Sequence, residues 1–140
     1  MFGYKCTLQT DTEVITYIAD YLLRRQGLTF EETASVIAAP FWSTIDKKNE
    51  DEASLLRYLR TIYPGLLITG PFSIVLGFDG GLMALNDRLK LRSMVVGEKD
   101  DIVYIASEEA AIRKIEPAAE NIWAPAGGEP VIIRVKEGAY

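Results

Sequence analysis

The chain has 140 residues, of which 49% are hydrophobic and 25% charged, with a formal net charge of −5. That length and balance fit one compact soluble domain, and an acidic surface disfavours a nucleic-acid binder, which relies on Lys and Arg to neutralise phosphates. The absence of histidine and the single cysteine, Cys6, exclude Ser-His-Asp and Cys-His catalysis by the chain alone, most zinc sites and any internal disulfide.

No apolar run approaches the roughly 18 residues of a membrane helix, so no membrane partner is expected. The stretch from Met1 to Cys6 has neither an apolar core nor a cleavage pattern and predicts no signal peptide. A reducing cytoplasm is the expected compartment.

The first half reads as helices. Thr10 and Glu13 have the spacing of a capping box, and Val14, Ile18, Tyr21 and Leu22 share one helical face. Gly27 suits the stop. Thr29 and Glu32 repeat the capping spacing and open a short helix that ends before Pro40. Residues 41–49 read as a loop carrying Trp42, with a solvated charge run over 46–52. Glu50, Asp51 and Glu52 then form an acidic first turn, followed by Leu55, Leu56, Leu59 and Ile62 on one face and a stop at Pro64-Gly65.

After that the period changes to two. Phe72, Ile74, Leu76 and Phe78 alternate, Asp79-Gly80 signals a hairpin turn loosened by Gly81, and residues 82–85 return. Turn geometry accounts for Gly80 and Gly81; Gly77 has no such reason. Residues 94–96 are expected to pair with 102–106 across the turn 98–101. Ser107 should cap a short helix containing Ala111, Ile112 and Ile115, closed by Pro117, and residues 131–135 make the last strand. The expected class is α+β, mainly helical over 10–63 and an antiparallel meander with one short helix over 70–136. Trp42, Tyr58, Tyr63 and Trp123 read as core or covering aromatics. No carboxylate pair has the spacing of a carboxylate-only hydrolase, and no glycine-rich phosphate loop is present.

Four ordered stretches go further. Thr10-Asp11-Thr12-Glu13-Val14 resembles the T/S-D-T-E-V motif of class II glutamine amidotransferases, the N-terminal-nucleophile type. Gly70 to Leu76 resembles the strand that follows in that family. Residues 86–92 match its R-D-P-x-G-x-R-P segment at Asp87 and Arg92, while Asn86, Arg88 and Lys90 depart from it. Tyr104-Ile105-Ala106-Ser107-Glu108 resembles its strand ending in A-S-E. The resemblance runs from about Thr10 to Val135, and the archaeal-type glutamate synthase amidotransferase unit is the nearest in flavour.

The resemblance implies a partial αββα sandwich with antiparallel sheets, with residues 1–140 forming the C-terminal portion of an amidotransferase domain. It implies hydrolysis of glutamine to glutamate and ammonia, with the ammonia delivered to a synthase subunit and no cofactor or metal required. In the family the N-terminal cysteine, the oxyanion hole and the carboxylate-binding arginine lie upstream of the D-T-E motif. The resemblance therefore implies an N-terminal amidotransferase segment as partner and no glutaminase activity for this chain alone. Asp11 carries over as the residue that holds the α-ammonium of glutamine, with Thr12 beside it; the alternative for Asp11 is an ordinary first-turn helix acid. Glu13 is assigned to capping. Cys6 is not the nucleophile, because Phe2 hinders removal of Met1, Thr7 stands where the family has Gly, and Cys6 lies only five residues before Asp11. Asp87 and Arg92 are expected to form an ion pair or to fix their loop. A second reading is a non-catalytic interaction module that oligomerises through exposed sheet edges.

Overall fold

The computed structural model describes residues 3–8 and 10–135; Met1, Phe2 and residue 136, on which parts of the sequence reading rest, lie outside them. Helices come first and antiparallel sheets second, as the α+β reading expects. They are α1 (Asp11–Asp20), a π-helical turn (Tyr21–Arg25), α2 (Phe30–Ala38), α3 (Trp42–Ile45) and α4 (Glu50–Ile62). Then follow β1 (Ser73–Phe78), β2 (Gly81–Asn86), β3 (Val95–Lys99), β4 (Ile102–Ala106), α5 (Glu109–Ile115), β5 (Glu120–Trp123) and β6 (Val131–Arg134).

The strands form two three-stranded sheets, in the orders β1-β2-β6 and β4-β3-β5. In the first sheet Ile74 pairs with Leu85 and Leu76 with Met83, and these side chains join Ile18, Leu22, Ala34 and Ile37 in one core. That face is covered by the helices before β1. The opposite face turns to the second sheet: Leu82 and Ile133 line a cleft with Glu98 and Val103, and Ser73 and Val75 line another with Met94 and Ile105. A Cβ on Gly97 would lie 3.2 Å from Ile112, so the far face of β3 is covered by α5. The layers therefore run helices, sheet, sheet, helix. Burying side chains such as Leu22, Ile37 and Leu85, all fully buried, contributes about 1.5–3 kcal/mol each.

Local chemistry explains most element ends. Thr29 Oγ1 accepts from the Glu32 amide at 3.1 Å and Glu32 returns a bond to the Thr29 amide at 2.8 Å, a complete capping box. Ala39 ends α2 in a left-handed conformation (φ 46°), one residue before Pro40. Asn49 caps α4 by accepting from the Glu52 amide at 2.9 Å.

Several expectations are corrected. Residues 42–45 are a short helix inside the expected loop. Ser107 does not cap α5, whose N-cap position is Glu108 with no side-chain bond. Strand β5 lies where the sequence pattern predicts no element: it has four residues, Asn121 has a positive φ of 45°, and its pairing with β3 shifts register. In the first hairpin only Gly80, at φ 77°, answers to turn geometry. Gly81 has a different reason: a Cβ there would sit 2.2 Å from the Ile133 carbonyl oxygen, so its absence lets β6 approach. Of the aromatics read as core or covering, none of Trp42, Tyr58 and Trp123 is in the core: all three are exposed. Tyr63 is half-buried at the core's edge and donates to Gln26 at 3.1 Å. No helix among the described residues is long and apolar enough to cross a membrane.

Candidate functional site at the start of α1

Helix α1 opens with two carboxylates two residues apart, and the chain treats them differently. Thr10, in extended conformation, caps the helix by accepting from the Glu13 amide at 3.2 Å. The return half of the capping box does not form as the sequence spacing suggests. The buried Glu13 side chain reaches instead to the preceding arm, accepting from the Thr7 amide (2.8 Å), the Leu8 amide (2.8 Å), the Thr7 hydroxyl (3.1 Å) and the Tyr17 hydroxyl (3.0 Å). The Thr7 amide, followed by those of Leu8 and the two hydroxyls, outweighs burial and lowers the Glu13 pKa to about 2. The same bond raises the pKa of Tyr17.

The arm is strapped to α1 at further points. Tyr4 stacks on Tyr17 with ring centroids 4.7 Å apart and donates to Asp20, and the Tyr17 hydroxyl that donates to Glu13 also lies 3.3 Å from the Lys5 carbonyl. Cys6 lies on this arm and is exposed.

Asp11 is the first residue of α1 and is exposed, where the positive end of the helix favours a negative charge. Its Oδ1 accepts from the Thr12 amide at 2.7 Å and faces the Thr12 hydroxyl at 3.3 Å. Among the described residues no hydrogen bond reaches Oδ2. Asp11 and Thr12 are thus brought together with one carboxylate oxygen fixed and the other open to solvent. The open oxygen suits a cationic group, because an ammonium binds a carboxylate through charge-assisted hydrogen bonds.

Asp87, the other acidic residue of the sequence motifs, is used up internally. It is 3% exposed, and its two oxygens accept from the amides of Phe72 (3.3 Å), Leu89 (3.0 Å), Leu91 (3.1 Å) and Arg92 (3.2 Å). Burial pushes its pKa up, but the amides of Leu91, Arg92, Phe72 and Leu89 outweigh burial and hold it below the usual value. Asp87 therefore fixes the loop from β2 to β3, and no ion pair joins it to Arg92. The Arg92 side chain is exposed beside a cleft of about 320 Å³ lined also by Ser73, Val75, Ile105 and Ser107. Among the described residues no group of three or more acidic, cysteine or histidine side chains is placed to hold a metal ion.

Comparison with known proteins finds no family model that matches. No solved structure matches either. The chain is 45% identical over 136 residues to an uncharacterized protein of Archaeoglobus fulgidus, a match that covers 97% of this chain and 36% of that protein. Over 51 residues it is 37% identical to a protein of Methanothermobacter thermautotrophicus named "Putative glutamine amidotransferase", covering 36% of this chain and 17% of that protein. The chain thus spans about a third of the first relative's length, and its likeness to a glutamine amidotransferase is partial.

Proposed function

We propose that this chain is the substrate-holding part of a class II glutamine amidotransferase domain, in which Asp11 binds the α-ammonium of glutamine and Thr12 lines the same place. The observation that carries this reading is the open Oδ2 of Asp11, held in a fixed direction by the bond from the Thr12 amide to Oδ1. The partial likeness to the Methanothermobacter protein and the ordered motifs support it. The nucleophile comes from residues other than these: a domain of this type uses an N-terminal thiol with its own α-amino group as base, and Cys6 sits within the arm that Glu13 holds against α1. Ammonia released in the complete domain passes to a synthase, with glutamate synthase the reading that the resemblance supports.

Titration of the isotope-labelled chain with L-glutamine tests this. The amide signal of Thr12 shifts and saturates, while the chain alone releases no ammonia. A Thr12 amide that stays still at saturating glutamine rejects the role of Asp11. Ammonia release that depends on one of the chain's own residues rejects the division of labour.

A second reading, an interaction module that self-associates, is favoured by the free edge of β1. Among the described residues that strand pairs only with β2, Val75 on it is 59% exposed, and a cleft of about 360 Å³ runs between it and α1, lined by Thr16, Leu23, Phe30 and Leu76. A molar mass that stays monomeric at high concentration argues against it.

A further inference from the structure

A second candidate site lies away from the D-T-E motif, on residues 39–42, which lead from the end of α2 into the first residue of α3. The left-handed turn at Ala39 ends α2. Arg88, from the loop after β2, donates to the Ala39 carbonyl at 2.9 Å and places its guanidinium 4.7 Å from the centre of the Phe41 ring. Arg60, from α4, donates to the next carbonyl, that of Pro40, and lies 4.3 Å from the centre of the Trp42 ring. Two guanidiniums from distant parts of the chain are thus seated on consecutive carbonyls and consecutive rings, and both arginines are partly buried.

Among the described residues neither has a carboxylate partner. Asp46, just after α3, and Glu50, the first residue of α4, are taken by Arg57 at 3.0 and 3.6 Å. Burial, and then the positive charge of Arg88, hold the Arg60 pKa below its usual value, so the two charges repel each other. Every guanidinium has five N–H donors, and each of these two donates one hydrogen bond to a carbonyl. The remaining donors form planar forks suited to oxyanions.

We propose that Arg60 and Arg88, on the ledge formed by residues 39–42, are a binding site for a phosphate-type oxyanion. A doubly charged phosphate answers both guanidiniums at once, whereas a single carboxylate neutralises only one. Phe41 and Trp42 wall the site and give it an optical reporter. The proposal is independent of the role of Asp11.

The test uses the Trp123→Phe chain, so that Trp42 is the sole indole. It is titrated with inorganic phosphate and with glycerol 3-phosphate, against chloride at equal ionic strength. A saturable change in Trp42 emission over chloride is expected. Arg60→Gln and Arg88→Gln each weaken it at least about tenfold, since each removes a charged bidentate partner. Tighter binding of glycerol 3-phosphate marks an organic phosphate as the occupant, and tighter binding of inorganic phosphate marks the free ion; either supports the site. The far-UV circular dichroism of each variant is checked, and where a Gln variant is misfolded Arg60→Lys and Arg88→Lys take its place, with a loss of at least about threefold expected from the missing fork. No saturable response over chloride, or a response that the folded variants leave unchanged, overturns the proposal.

Discussion

The two motif aspartates sit in opposite circumstances. Asp87 is buried, and backbone amides from four residues converge on it; Asp11 is exposed, with one oxygen tied to its neighbour and the other open. A carboxylate whose acceptor sites are filled by its own chain has nothing left for a ligand, while a carboxylate fixed by one bond is oriented and available. Hydrogen-bond accounting therefore separates a structural acid from a candidate binding acid where motif matching treats them alike. Glu13 sharpens the point: two residues from Asp11 on the same helix, it is as fully engaged as Asp87.

The contrast is open to attack by substitution. Asp87→Ala leaves up to four amides without their acceptor and should cost about 3 kcal/mol, measured by denaturant unfolding. A loss below about 1 kcal/mol would show that water or another group replaces the carboxylate. Gly81→Ala, which drives a methyl group into the Ile133 carbonyl, should cost about 2 kcal/mol in the same assay.

Glu13 gives a pH signature. Its folded-state pKa is depressed to about 2 from an ordinary 4.5, so the stabilisation is complete above pH 4.5 and is lost as pH falls toward 2. Acid unfolding followed by circular dichroism should show that slope in the native chain and a flatter one in Glu13→Gln. An unchanged slope would mean that the arm over residues 3–8 does not depend on Glu13. Asp11→Asn lies at the small end for folding, with a change below about 1 kcal/mol, because only a first-turn charge is lost.

How much of this was legible in the sequence follows the range of each interaction. Thr10 and Thr29 cap the residues their spacing names, and the hairpin from Phe72 to Leu85 reads directly, because these contacts are local. Glu13 has capping spacing, yet its side chain goes to Thr7 and Leu8, where an arm of irregular backbone offers amides that no periodicity reveals. Gly81 looks like part of a loose turn, but its reason is Ile133, more than fifty residues away in sequence. Trp42 reads as a core or covering aromatic; its partner, Arg60, is set by how α4 packs beside α3 and leaves no trace in the sequence. Asp11 was legible as a motif residue, but the oxygen that no hydrogen bond reaches among the described residues was not.

The most direct test compares L-glutamine with 4-carbamoylbutanoate, its analogue without the α-ammonium, on the native chain and on Asp11→Asn. If Asp11 holds the ammonium, the substitution weakens glutamine about tenfold or more, the size of a lost charged hydrogen bond, and leaves the analogue unchanged. Equal losses for both compounds, or no loss for glutamine, would contradict it.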